Sequence, residues 1–501
     1  MRLLTPLLAL RIRPHPHHIS LFRRNPSLSR SFASPGTPFK PPQYGQPLSL
    51  THPHLVRPGQ LTPGISVGEY EKRRKQLVER VEQDAIIVSM GAKTIYCSQN
   101  IFYKFRQGTD FNYLTGFNEP EAAVIIRKDA SPRGYHMTLF VPVRSAESDL
   151  WEGGRSGLDG AVEFFGADEA YPLSSMPSVL QDHLYSAPSI YIDLPPSKSK
   201  RSFLSGLLSS SSSATSDIES QVAKLPPGKV KPLNMLVQAL RLVKSPEEVA
   251  LMKQAGDIAS KGHTEVMKFA RPDLPEAHLQ AHFEYICALE GSERSAYVPV
   301  VASGANGLVI HYTVNDCLMK DGELVLIDAG CELHSYCSDI TRTFPVSGKF
   351  SPAQKDLYQA VLEVNKRCVA LCEVNNGWTM NSLHTRSVTF MKEELNQIGF
   401  GLSHDHAASI LYPHGLSHYL GMDLHDTPLA SKSTPLQNGH VLTIEPGVYV
   451  PYDSRYPKHF HGLGIRVEDD ILITPEGPLV LTSHCPKEVA DVEAACQGLL
   501  G

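Results

Sequence analysis

Apolar residues recur along this chain in two rhythms. From Tyr70 to Gln83 they fall at helical spacing, whereas residues 85–89, 122–127 and 137–142 are short continuous apolar runs of the kind that fill buried strands. Helical spacing returns around residues 160–185, so the pattern predicts an α/β first domain. A second domain opens at Ser245-Pro246-Glu247-Glu248, where the serine can cap, the proline suits the first helical position and Glu248 completes a capping box. Two or three helices to about Glu290, strands to Pro345, helices over about 352–397 and strands again from about His440 to Leu481 predict an α+β domain. Helices followed by antiparallel strands occur twice in it, which implies internal pseudo-two-fold symmetry.

Two stretches follow neither rhythm. Pro35 to Pro63 is rich in Pro, Gly and His and reads as an extended arm over 33–66, with folding starting near Val67. Ser209 to Ser216 has no side chains to pack and reads as a mobile surface loop. The expected domains are therefore 67–244 and 245–490. Ahead of the arm, Arg2, Arg11, Arg13, Arg23, Arg24 and Arg30 crowd a segment with no acid before Glu69, and residues 1–32 are expected to be an organelle import peptide.

Composition narrows the function classes. With 501 residues, 42% hydrophobic and 20% charged, the chain can bury two ordinary cores, which excludes a disulfide miniprotein or a disordered tail. The 47 basic and 52 acidic residues leave −5, the wrong sign for binding nucleic acid by bulk charge. The early apolar run from Leu3 to Leu10 falls short of the ~18 residues of a membrane span, so a soluble protein is expected. Nine cysteines without a CxxC pair suggest reduced, mostly buried thiols.

The candidate chemistry lies in the second domain. The apolar run 323–328 ends in Asp328, turns through Ala329-Gly330 and returns as Ser338-Asp339, so a hairpin would face the two carboxylates toward each other. In an apolar sheet such a pair must bind a cation or share a proton. Glu445 closes the run from Val441, Glu468 follows Gly464-Ile465-Arg466-Val467, and between the pairs lies the segment holding His414, His418 and His425, with His311 further upstream. Four carboxylates and one imidazole make a hard, oxygen-rich set that suits Mn²⁺, Mg²⁺, Co²⁺ or Fe²⁺ and would neutralise two divalent ions. Arg466 shares a strand face with Glu468 and is expected to pair with an acid or position a ligand, while Asp469 and Asp470 read as turn or solvated positions. No GxSxG elbow, Walker loop or GxGxxG after a strand occurs, so serine hydrolase and phosphate-binding readings lack their motifs.

These segments resemble the pita-bread metallopeptidases. Together with Arg106 to Phe111, Tyr113 to Ala122 and Leu150 to Arg155, they resemble the aminopeptidase P branch, and within it the mitochondrial members, over roughly residues 67–490. The Ser-rich insertion and Gly108, where relatives often carry Asn, are departures. The resemblance implies two divalent metal ions, Mn²⁺ foremost, with Asp328 a ligand of one, His418 and Glu445 ligands of the other, and Asp339 and Glu468 bridging. It further implies that Glu445 moves protons, that His311 and His425 stabilise the oxyanion, that His414 shapes the pocket, and that Asp110, Tyr449 and Arg466 contact substrate. The expected activity is removal of one residue from the free N-terminus of peptides or imported precursors, favouring Xaa-Pro or intermediates left by presequence cleavage. A homodimer or homotetramer in the mitochondrion, in the matrix or associated with the inner membrane, is implied as well, with the Asp110 loop and Trp151 narrowing a neighbour's active-site mouth. Methionine aminopeptidase is disfavoured by the long first domain, and a prolidase-like dipeptidase or a non-catalytic module on this fold are the alternatives. In the leader, Arg30-Ser31-Phe32-Ala33 resembles a site where an import protease exposes Phe32, which this chain would then remove from another copy.

Overall fold

The structure, a computed structural model, describes residues 44–193, 214–374 and 376–500. The leader with its Phe32 site and the serines at 209–213 lie outside the described residues. The first half is built on six strands, in spatial order Val230–Lys231, Ile190–Ile192, Ile86–Met90, Ala123–Lys128, Tyr135–Val141 and Glu169–Pro172. Ile86–Met90 pairs in parallel with Ile190–Ile192 and antiparallel with Ala123–Lys128. Its central strands read as unbroken apolar runs because both faces are covered. Ile87, Val124 and Ile126 pack on one side with Leu77 and Phe165, and Ile86, Val88 and Ile125 pack on the other with Met176 and Leu180.

The helical segments expected around 160–185 are Gly157–Phe165, ended by Gly166 in the left-handed region, and Met176–Leu184, with Glu169–Pro172 joining the sheet edge between them. Two expectations about this half need correction. The arm is not loose from Tyr44 onward. Leu48, Val56, Leu61 and Ile65 are buried, and the Gln46 amide donates to the Gly116 carbonyl at 2.9 Å. Leu48 and Val56 are presented by turns, and Leu61 and Ile65 by the strands Gln60–Thr62 and Ile65–Ser66, which are too short to show a period, so the pattern concealed them. The Ser-rich run, finally, does not stay a loop to Ser216, because Ala214–Val222 is a helix.

The second half matches its predicted order. Ser245 and Glu248 form the capping box of helix Pro246–Phe269, followed by Glu276–Leu289 and the antiparallel strands Val300–Ser303, Leu324–Asp328 and Thr341–Pro345. The succession repeats as Pro352–Ala370, Met380–Gln397 and the strands Val441–Ile444, Asp469–Thr474 and Gly477–Val480. Residues of both strand sets and all four helices share one apolar cluster, and the cysteines are free, six of them buried, as expected.

Ion pairs tie the two halves together. Arg241, the last residue of helix Asn234–Arg241, donates to Asp110 at 2.5 Å, to Asp423 at 2.7 Å and to Asp426. Lys244 reaches Asp426 at 2.9 Å, and Arg106 joins Glu332 at 2.6 Å and the Met422 carbonyl at 2.7 Å. Burial alone would push the Asp426 carboxyl up, but Lys244 and Arg241 outweigh it and hold it below the usual carboxylate range. The segment around His425 is thereby fastened to the first half.

Candidate metal centre

Each acidic side chain of the centre stands where a strand ends or breaks. Asp328 ends Leu324–Asp328, and a Cβ on Gly330 would come within 1.8 Å of the Ser338 carbonyl oxygen, so only glycine allows the crossing that brings Asp339 back. The connection is not the simple hairpin the sequence suggested. Asp328 lies in register with Thr341, and a separate small ladder, Cys331–Leu333 with Tyr336–Cys337, closes the turn between. Glu445 follows Val441–Ile444, and Glu468 sits between Gly464–Arg466 and Asp469–Thr474.

The five expected ligand residues converge. Ligand atoms of Asp339, His418 and Glu468 all lie within 4.8 Å of one another. His418 Nε2 is 3.3 Å from Asp339 and 3.7 Å from Glu445. Asp328 joins through the Tyr297 hydroxyl, which contacts both Asp328 and Asp339, the latter at 2.6 Å. A phenol carries one proton and cannot serve two carboxylates at once.

Charge balance supplies the test of whether cations fit. Against four carboxylates, the described residues provide one guanidinium, Arg466, at 2.6 Å from Asp328, and imidazoles. Burial, together with neighbouring acids, pushes Asp339 up, Glu445 to about 7 and Glu468 far above the usual range. The centre therefore holds more negative charge than its own side chains can neutralise, on hard oxygen donors, and divalent cations fit it. His418 is oriented for the same purpose: its Nδ1–H donates to the Tyr419 carbonyl at 3.0 Å, which turns Nε2 toward the acids. Burial would lower this imidazole, but Asp339 and Glu445 raise it to about 9. The proton so favoured stands where a cation would.

Hydroxyls fix the acids from behind. Thr341 donates to Glu468 at 2.5 Å, and Thr443 donates to Glu445 at 3.3 Å while accepting from the His418 amide. Tyr297, Thr341 and Thr443 carried no signal of this role in the sequence, since hydroxyl residues on strands are common and only pairing register brings these to the acids.

A cleft of about 370 Å³ opens onto the centre, lined by His311, His414, His418, His425 and Glu445 among others. The rings of His418 and His425 are 4.4 Å apart, and burial lowers His425. Both nitrogens of His414 are engaged: Nδ1–H donates to the Gly415 carbonyl at 2.9 Å and Nε2 accepts from Tyr449 at 2.9 Å. Burial and then Arg466 lower it to about 4, so it is a neutral wall of the pocket.

Arg466, Tyr449 and Asp110 are not among the residues that line the cleft of this chain. Arg466 and Tyr449 are buried beside the centre, Arg466 donating to Tyr449 at 2.5 Å and to Thr341 at 3.1 Å, so the pairing role expected of Arg466 is the one observed. Asp110 is held by Arg241 and does not line the cleft. Asp469 and Asp470 are not solvated either. Asp469 is 0% exposed and accepts from Arg342 at 2.8 Å and Lys487 at 2.6 Å, and Asp470 accepts from the Asp339 amide at 3.0 Å. Burial alone would push Asp469 up, but the two cations hold it at about 2. Arg342, 127 positions upstream of Asp469, could not be matched to these acids by local pattern.

A repeated helix-and-strand domain around an acid and histidine centre of this kind defines a metal-dependent hydrolase of pita-bread architecture. Comparison with known proteins agrees. The family Metallopeptidase family M24 matches residues 250–475, and the family Aminopeptidase P, N-terminal domain, matches residues 70–191. Xaa-Pro aminopeptidase 3 of Mus musculus is 39% identical over 488 residues, 94% of each chain. The crystal structure of Icp55 from Saccharomyces cerevisiae, 37% identical, superimposes with a TM-score of 0.80 over 88% of this chain and 100% of that one. Zn-substituted Escherichia coli aminopeptidase P in complex with product, 34% identical, gives 0.79 over 87% and 99%. The chain belongs to metallopeptidase family M24, in its Xaa-Pro aminopeptidase branch, and is a metallo-aminopeptidase.

Proposed function

We propose that this enzyme removes single N-terminal residues from Xaa-Pro peptides and from precursors trimmed after mitochondrial import, using two divalent ions, Mn²⁺ foremost. The observation that carries the metal reading is the convergence of Asp328, Asp339, His418, Glu445 and Glu468 on one point with too few cations to balance them. Asp328 would hold one ion, His418 and Glu445 the other, with Asp339 and Glu468 shared. Such ions supply Lewis acidity, polarising the scissile carbonyl and lowering the pKa of the attacking water. Glu445, which lines the cleft, would take the proton from that water and pass it to the leaving amine. His311 and His425 would donate to the carbonyl oxygen as it gains charge, and His414 would shape the pocket for the residue after the cut.

The names of the relatives, Xaa-Pro aminopeptidase 3 and Intermediate cleaving peptidase 55, mitochondrial, support both the substrate class and the compartment. A homo-oligomer is part of the same reading. It is supported by the exposed apolar side chains of Tyr96, Ile101, Phe102 and Trp151, the last 81% exposed. The domain boundary near 245 is supported by the capped helix that starts there. Defined peptides, free and N-acetylated, with and without proline second, digested and read by mass spectrometry, test the activity. Loss of one residue from free N-termini is expected, abolished by chelation and restored best by Mn²⁺. Equal cleavage of acetylated peptides, or full activity after exhaustive chelation, would overturn the proposal.

A further inference from the structure

His311 lies on a turn rather than on a strand or helix, so something must fix it. The turn runs from Val309 to Tyr312, closed by the Tyr312 amide donating to the Val309 carbonyl at 3.3 Å, and the Asn306 carbonyl accepts from the Val309 amide at 2.9 Å. Asn306 and Tyr312 thus flank the two residues, Ile310 and His311, that face the cleft.

Both flanking residues are gripped by one buried carboxylate. Glu276, the first residue of helix Glu276–Leu289, is 0% exposed. Its Oε1 accepts from the Asn306 side-chain Nδ2 at 3.0 Å and from the Ser303 backbone amide and hydroxyl, each at 2.7 Å. Its Oε2 accepts from the Tyr312 hydroxyl at 2.9 Å and the Cys317 amide at 3.0 Å. The Glu276 amide also donates back to the Cys317 carbonyl at 2.9 Å, which closes the clasp in both directions. With five donors its lone pairs are filled, so the acids and thiol gathered at Glu276, Asp316 and Cys317 form a clamp and not a second metal site.

We infer that Glu276 is a positioning residue for catalysis: its carboxylate clamps residues 303–317 so that His311 is held at the scissile carbonyl. Charge-assisted bonds are the stronger kind, and five of them converging on one buried acid leave the turn little freedom. The inference rests on the oxyanion reading of His311. Displacement of a catalytic group by about 1 Å can cost on the order of a hundredfold in rate, so small changes at Glu276 are expected to be read at His311.

Glu276→Gln tests this, because an amide presents an NH₂ to donors at one end of the clamp and keeps the volume unchanged. The expected result is a fall in kcat on the order of tenfold to a hundredfold with bound metal unchanged. In a cycle with His311→Ala, the double variant is expected to be no slower than His311→Ala alone, because a ring that is absent cannot be misplaced. Multiplicative losses, or wild-type kcat in Glu276→Gln, would overturn the clamp. Wild-type turnover in His311→Ala would instead overturn the reading of His311, and the clamp's catalytic purpose with it. Tyr312→Phe removes the Oε2 contact with the turn, together with the longer contacts of that hydroxyl to Asp316 and Cys317, and gives a second reading if the glutamine variant does not fold. A smaller drop in kcat, absent in the His311→Ala background, is expected of it, and an equal drop in both backgrounds would refute the proposal.

Discussion

Asp469→Asn keeps the shape of a buried side chain and removes its charge. The native carboxylate accepts from Arg342 at 2.8 Å and Thr482 at 3.1 Å through one oxygen and from Lys487 at 2.6 Å through the other. Its pKa is held at about 2 against an ordinary 3.8, a gap that corresponds to roughly 2 kcal/mol of stability at neutral pH. The sign follows from the lowered value: the contribution is complete above 3.8 and is lost as pH falls through about 2. The substitution also strands Arg342, whose side chain is 0% exposed, and breaking a buried pair from one side costs about 3–5 kcal/mol. A loss of about 3 kcal/mol is therefore expected in urea denaturation at pH 7 followed by circular dichroism. Lys487→Met removes the partner that is partly in water and should cost about 1 kcal/mol or less. A surface acid would change stability by about 0.5 kcal/mol at most, so a loss that small in Asp469→Asn would refute the argument.

The centre and its surroundings make further outcomes testable. His425→Ala should retain metal and lose about 2–4 kcal/mol of transition-state stabilisation, whereas Asp339→Ala and Glu445→Ala should lose turnover altogether, Asp339→Ala with its metal. Metal content measured beside kcat separates the two classes, and equal metal loss in His425→Ala would show a ligand instead. His263 is fully buried, its Nε2 against the Ala329 carbonyl at 2.9 Å, and burial lowers it to about 4. The unfolded chain takes up that proton near 6.5, so stability should fall by up to about 3 kcal/mol as pH drops from 6.5 to 4. His263→Gln should flatten that slope, and an unchanged slope would place the acid sensitivity elsewhere. On the proposed mitochondrial reading, N-terminal sequencing of the protein isolated from mitochondria should find Ala33 first in the active form and Phe32 first in a Glu445-substituted form, when no other active copy is present.

Periodicity carried the fold well where elements are regular and one-sided or fully covered. The capping box at Ser245, the apolar runs that became Ile86–Met90 and Ala123–Lys128, and the two helix pairs were legible for that reason. The arm from Tyr44 was not, because its buried Leu48 and Val56 are presented by turns with no period to detect. At the centre, residue types and order marked Asp328, Asp339, His418, Glu445 and Glu468, since acids at the ends of apolar strands are conspicuous. Their supports were invisible. Tyr297 reaches Asp339 from 42 residues away and Arg342 reaches Asp469 from 127, and distances of that kind are set by which strands pair.

The triple engagement of Arg241 bears on how this molecule can be dissected or recombined. A fragment cut at residue 245, where the capped helix begins, would shed both Arg241 and Lys244 and leave Asp426, 3% exposed, with neither of its cations. The neighbour of that aspartate is His425, so the injury would fall at the cleft and not at the severed end. The seam along which this protein can be exchanged with a relative therefore lies upstream of Asn234, and the helix Asn234–Arg241 travels with the metal centre although it precedes the fold that contains it.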